Sequence, residues 1–304
     1  MKDEISTKHA TQIPESAYIR LLNAIVRIEV EGGQGTGFFL KFKKKDKIFF
    51  SLFTNYHVIS KDLVNSKDTI SIYYGPKGEE TRKTIKLDES QREIFCFDRP
   101  KDVTVVEILK SDNIPEDKYL LPDMNYKNGG FNMYSESDFY LAGYPSVDDI
   151  YNEYEGERHV SSGKIKRVFN NFEFEHTLDT RKGSSGSPIC LINNRCVIGI
   201  HKAGDKNTFI NQGTFLGEII DSLENDLITI RCQLEDLDRP IMIKVNPKDN
   251  IISTIINKLN LGSGNKYNFF HKGHFIRGSY SFKDYKIKDN DLILIMETHS
   301  LIGG

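Results

Sequence analysis

Between Leu21 and Ile220, short apolar runs alternate with breaks of Gly, Asn, Asp and Pro. Ala24 to Val30, Gly37 to Phe42, Lys47 to Thr54, Thr69 to Tyr74, Val103 to Ile108, Phe139 to Ala142, Pro188 to Ile192 and Arg195 to Ile200 are all of strand length. Many short strands at this spacing predict an all-β sandwich or barrel rather than alternating βα units. No internal repeat relates the two halves, so spacing alone does not specify a double barrel. Ile219 to Leu227 is predicted as a short helix closing this domain, which spans 21–224 behind a polar lead at 1–20.

Past Asn225 the pattern changes. Leu227 to Leu234 and Ile241 to Val245 read as strands around a turn at Glu235 to Pro240. Ile251, Ile252, Ile255, Ile256 and Leu259 then recur at helical spacing behind Asp249, the expected N-cap. Tyr267 to Phe270, the segment Asp284 to Ile287 and the strand Leu292 to Met296 complete an α+β unit at 226–304, ending in Gly303-Gly304.

Composition sharpens this picture. A chain of 304 residues holds one large β domain and one small domain. An apolar fraction of 38%, with 19 Phe and 14 Tyr, fills real cores and argues against wholesale disorder. Lys and Arg number 41 against 43 Asp and Glu, a net charge of −2. That balance offers no electrostatic case for nucleic acid or an anionic membrane as partner. The basic run Lys41 to Lys47 is expected as the solvated turn of a hairpin. Met1 to Glu15 lacks the apolar core of a secretion signal, and no apolar run nears the roughly 20 residues that span a bilayer. The expected compartment is cytoplasmic. Cys96, Cys190, Cys196 and Cys232 are too scattered for a disulfide framework or a zinc site. Cys190 and Cys196 flank Asn193-Asn194 and are expected across a hairpin as free thiols. His271 and His274 have no third ligand nearby in sequence and are expected on a surface turn. Neither a metal nor a cofactor is predicted.

The most informative chemistry lies in Gly183-Ser184-Ser185-Gly186-Ser187-Pro188. A nucleophilic serine needs a base for its proton and backbone N–H groups for the oxyanion. Gly183 lets the loop curl so that the N–H groups of Gly183 and Ser185 converge, and Gly186 is expected to leave the approach open. His57 follows the apolar run ending in Thr54, and Asp102 precedes the run Val103 to Ile108. In that order the three supply a relay: Ser185 attacks, His57 takes its proton, and Asp102 holds the imidazole. His57 is expected within hydrogen-bond reach of both other residues.

These stretches, with Gly35-Thr36-Gly37-Phe38-Phe39, Ala142-Gly143-Tyr144-Pro145 and Val197 to His201, resemble the trypsin-like serine peptidases. The similarity runs from about 21 to 222 and is nearest the glutamyl-endopeptidase and intracellular branch. It implies a chymotrypsin-like fold of two six-stranded β-barrels with the relay between them, acting on protein or peptide substrates. The strand Ile200 to Gly204, with Lys202, Ala203 and Gly204, would pair with an extended substrate. Zymogen-type members carry Asp immediately before the nucleophile; Ser184 stands here, which implies no activation by N-terminal clipping. Asp179 matches the position that selects Lys or Arg. Thr180 and His201 match the pair that grips Glu or Gln, and the resemblance favours the latter.

Residues 227 to 304 resemble ubiquitin, a β-grasp fold, along their whole length. The carrying features are the hairpin Ile228 to Val245, Pro247-Lys248-Asp249 before the helix, Phe269-Phe270-His271-Lys272-Gly273, Phe282 to Ile287, and Leu292 to Met296 before the Gly-Gly end. Phe270 falls on the recognition patch of that family, as a docking anchor or as a side chain packed on its neighbours. Gly303 and Gly304 match the tail of conjugatable modifiers, whose lack of side chains lets them thread narrow channels. Partners would be receptors of ubiquitin-like domains or conjugation machinery.

The reading is an intracellular serine endopeptidase whose ubiquitin-like domain recruits or is conjugated. The alternative is a ubiquitin-like modifier or adaptor carried on a protease fold. Self-processing near Glu224, Glu235 or Asp236 is a further option.

Overall fold

The computed structural model describes residues 15–31, 33–76, 78–135, 137–145, 158–169, 172–194, 196–205, 210–225, 227–262, 267–278 and 280–298. The chain divides into two compact units, Met1–Glu218 and Ile219–Gly304. The division falls inside helix α4 (Leu216–Asn225), within three residues of the start expected for the closing helix.

The first unit opens with α1 (Glu15–Ala24), which begins inside the polar lead. Strands β1 (Ile25–Val30), β2 (Gly33–Lys44), β3 (Lys47–Thr54), β4 (Thr69–Tyr74), β5 (Thr81–Lys86), β6 (Ile94–Phe97) and β7 (Val103–Glu107) form one curled sheet in the order β5-β4-β1-β2-β3-β7-β6. A short helix, α2 (Lys61–Asn65), is capped by the Ser60 hydroxyl accepting from Leu63 N–H. Of the run Lys41 to Lys47, only Lys45-Asp46 form the β2–β3 turn, with Lys45 in a left-handed conformation; Lys41 to Lys44 pair within β2, where Phe42 is buried, and Lys47 begins β3. One face of this sheet buries Ile28, Phe39, Leu52, Ile72, Ile85 and Val106.

After α3 (Tyr126–Gly129), strands β8 (Asp138–Gly143), β9 (His159–Phe169), β10 (Glu173–His176), β11 (Pro188–Leu191), β12 (Val197–Asp205) and β13 (Ile210–Phe215) close into a barrel ordered β10-β13-β12-β11-β8-β9. Phe139, Phe174, Phe215 and Ile165 fill it. This lobe has the expected six strands. The first has seven, with β5 and β6 at its ends. A closed barrel leaves no free edge, whereas the curled sheet keeps two. The free thiols Cys190 and Cys196 lie on and beside paired strands, as expected.

The second unit contains β14 (Ile228–Leu234), β15 (Ile241–Val245), α5 (Ile251–Lys258), β16 (Tyr267–His271), β17 (His274–Phe275) and β18 (Leu292–Glu297). The sheet order is β15-β14-β18-β16-β17; β14 and β18 run parallel and the other pairs antiparallel. Ile251 and Ile255 of α5 join Ile230, Phe269 and Ile293 in the core. The cap of α5 is Asn250 rather than Asp249: its side chain accepts from Ser253 N–H at 2.9 Å, three residues on, the N-cap geometry. His271 is not on an exposed turn. It is buried in β16, with Nε2 2.9 Å from Asp291 Oδ2. Glu224 lies in α4, and Glu235 and Asp236 in the turn after β14.

Candidate active site

The first sheet delivers His57 just past the end of β3. Val58 N–H and Ile59 N–H both donate to Asn55 O at 3.1 Å, a tight turn that swings His57 out of the strand. Asp102 precedes β7 and is buried. Its Oδ2 lies 2.7 Å from His57 Nδ1, and its Oδ1 accepts from His57 N–H at 3.0 Å. Both carboxylate oxygens therefore face one residue, fixing the imidazole's position and its tautomer. Asp102 adopts φ +53°, a left-handed conformation uncommon for a residue with a side chain.

The closed barrel delivers Ser185 on the turn before β11. Gly183 and Gly186 have φ of +88° and +92°. Gly186 does more than leave an approach open. A Cβ there would stand 1.9 Å from Thr36 O, so the close passage of two backbones is what excludes a side chain. Thr36 fastens this loop: its N–H donates to Ser185 O at 2.9 Å and its hydroxyl to Gly183 O at 2.8 Å, while Tyr144 N–H donates to that hydroxyl. Ser184 is buried, and its Oγ accepts from Arg181 N–H, closing the preceding turn. Among the described residues, neither Gly183 N–H nor Ser185 N–H meets an acceptor. His57, Gly183 and Ser185 line one cleft of about 340 Å³ with Val30, Val58 and Lys182. The Ser185 hydroxyl donates to Lys202 O at 3.4 Å; among the described residues no hydrogen bond joins it to His57. Such bonds are often open in a protein without substrate.

Beside the serine, β12 presents His201, Lys202, Ala203 and Gly204. Pairing with β11 ends at Ile200, and Ala203 and Gly204 are exposed while their other edge meets β13. His201 is buried, with Nδ1 3.2 Å from Nε2 of the fully buried His176 on β10. Burial, and secondarily His57, lowers the His201 pKa to about 3; burial, then His201, holds His176 well below its ordinary value. Both are neutral at neutral pH. The Thr180 hydroxyl donates to Asn211 Oδ1 at 2.9 Å, and the Asn211 amide donates to Leu178 O at 2.7 Å. The Asp179 side chain is 70% exposed, with its Oδ2 3.7 Å from His159 Nε2.

The family of trypsin-like peptidase domains matches residues 35–200, more than half of the chain. The chain belongs to this family. It is thereby a serine endopeptidase, acting on protein or peptide substrates. Among solved structures, the serine endoprotease from Yersinia pestis shares 16% identity over 73% of this chain and 71% of its own, with a TM-score of 0.50. A Glu endopeptidase shares 20% identity over 68% and 92%, with a TM-score of 0.49. An M. tuberculosis protease in its active form shares 15% over 68% and 82%, at 0.46. No curated protein matches the chain. At such identities the Yersinia likeness shows a shared fold.

Several residues of this trypsin-like site escaped the sequence reading. His176, Asn211 and Thr214 act through hydrogen bonds to residues far along the chain, as do Thr36 and Asn55 within stretches the sequence had marked, and no local spacing encodes those bonds. His176 had a signal, a histidine in the short polar–apolar run Glu173 to His176. In the second unit Phe270 is half-buried, its ring 5.5 Å from that of Phe275 and its register partner Leu294 exposed. It packs on a neighbour while keeping some surface. Gly303 and Gly304 lie outside the described residues. Among the described residues no cluster of His, Cys, Asp or Glu could hold a metal, and no helix is long and apolar enough to cross a membrane.

Proposed function

We propose that Ser185 is the nucleophile, His57 its general base and Asp102 the group that holds the imidazole, with the N–H groups of Gly183 and Ser185 as the oxyanion hole. The observation that carries this reading is the Asp102–His57 pair, both carboxylate oxygens on one residue, facing the same cleft as Ser185. The free edge at Ala203 and Gly204 supports pairing with an extended substrate strand.

The residue before the cut bond is Glu or Gln, gripped by His201 and Thr180, and the hydrogen-bond polarity favours Gln. We assign the bridging proton to His176 Nε2, because its Nδ1 is buried without a hydrogen-bond partner among the described residues; the His201 proton then sits on Nε2 and can donate. Thr180 has directed its own proton to Asn211, so toward substrate it offers only lone pairs. One donor beside one acceptor matches a carboxamide. A carboxylate could use only the donor. A panel of peptides differing only in this residue (Gln, Glu, Lys, Arg) tests both levels. Wild type is expected to cut Gln peptides fastest, and Ser185→Ala to lose several orders of magnitude on all four. Full activity of Ser185→Ala overturns the nucleophile; cleavage confined to Lys and Arg overturns the pocket.

The C-terminal unit is read as a ubiquitin-like β-grasp that recruits partners. Its support is the parallel β14–β18 pair at the centre of a sheet whose first hairpin is followed by α5.

A further inference from the structure

Pro100, Lys101 and Asp102 form the turn that ends in the carboxylate facing His57. Each carbonyl of this tripeptide accepts a hydrogen bond from a distant side chain. Lys202 Nζ donates to Pro100 O at 2.9 Å, Thr214 Oγ1 to Lys101 O at 2.6 Å, and Asn55 Nδ2 to Asp102 O at 2.8 Å. Their amides close the turn from within: Lys101 N–H and Asp102 N–H reach Asp98 O at 3.1 and 3.3 Å. Asp102 itself sits at φ +53°. A non-glycine residue persists there only where its surroundings over-determine it, and three clamps on consecutive carbonyls do so.

Lys202 differs from the other two clamps. It is 9% exposed, and lysine is rarely so buried unless paired. Its ammonium also pairs with Glu173 on β10, which anchors it to the closed barrel. It stands where the register of β12 against β13 shifts, between His201 and Ala203. Such irregularities re-aim a side chain, here across to the other lobe. Its own carbonyl accepts from Ser185 Oγ. One residue therefore touches the serine through its backbone and the aspartate's turn through its side chain.

We infer that Lys202, oriented by Glu173, is a positioning residue that holds the Asp102 turn, and so the His57 imidazole, in register with Ser185. This rests on the roles proposed above for His57, Asp102 and Ser185. A buried ion pair that merely stabilises the barrel would have no need to bond a carbonyl two residues before Asp102. It would also leave the His57–Asp102 hydrogen bond intact when replaced by apolar groups of similar shape.

The test is the double variant Lys202→Met/Glu173→Gln, which removes the ammonium without stranding a buried carboxylate. Three quantities are read: folding by thermal melt, kcat and KM on the best peptide of the panel, and the low-field proton resonance of His57 Nδ1–H bonded to Asp102. A folded double variant is expected to lose about 10²-fold in kcat, as for displacement of a reacting group, with KM within about twofold and the resonance lost or broadened. Wild-type kcat and an unchanged resonance in the folded variant overturn the inference, and so does a rise in KM alone. If that variant does not fold, Lys202→Gln/Glu173→Gln keeps the polar groups paired, is too short to reach Pro100, and is read the same way. Ser185→Ala run alongside separates the two levels. If it stays active, the proposed nucleophile fails; if it is inactive with its resonance retained while the Lys202 variants are normal, only the positioning role fails.

Discussion

His201 and His176 meet nearly edge to face inside the closed barrel, ring centroids 5.3 Å apart. Two imidazoles so placed cannot both carry charge, and burial disfavours charge on either. The folded pKa of His201 is about 3 against an ordinary value of 6.5. Between those values the unfolded chain binds the proton and the folded chain does not. The stability contributed is therefore fully present above pH 6.5 and is lost as pH falls toward 3. Each pKa unit of separation is worth about 1.4 kcal/mol once the protons are taken up. The melting temperature of wild type is expected to fall across pH 6.5 to 4, and that of His201→Asn to fall less steeply. Parallel curves would mean that the histidine pair does not govern the acid limb. The same pair shows why residue type alone misleads at Thr180. Its hydroxyl reads as a donor in the sequence, and a single bond to Asn211 makes it an acceptor.

Strands that are mostly apolar and buried, such as β3 beyond Ile48 and β7 up to Val106, were legible because both faces meet other groups in the fold. Of the ones that escaped, β6 is an apolar run of only four residues, and most others are left half in water. β9 carries Lys164, Lys166 and Arg167 between sparse buried positions, β5 buries only Ile85, and β10 and β13 are short or interrupted by polar residues. Their pairing is set by partners across the sheet, which local periodicity does not record. The Gly183 to Pro188 loop lies between these cases. Gly183 and Gly186 were recognisable as turn glycines, whereas the reason for Gly186, a backbone oxygen of Thr36 from the other lobe, is a long-range contact. His57, Asp102 and Ser185, the residues proposed for the relay, were readable because each lies next to an element with a clear apolar signature. The clamps around them were not.

At the scale of the whole chain, family membership covers residues 35–200, and the second unit lies beyond it. If that unit is a conjugated modifier, removing Gly304 should abolish higher-mass adducts in cells expressing the chain. An identical band pattern with and without Gly304 leaves it as a docking module, with Phe270 the first residue to replace. The account's central claim, however, is that Ser185 is the activated nucleophile of this trypsin-like peptidase. The most direct measurement is reaction of the full chain with a serine-reactive fluorophosphonate, followed by mass spectrometry of the labelled peptide. Label on Ser185 in wild type, strongly slowed in His57→Ala and absent in Ser185→Ala, is the predicted result. Equal labelling of wild type and Ser185→Ala, or label on another serine, would contradict it.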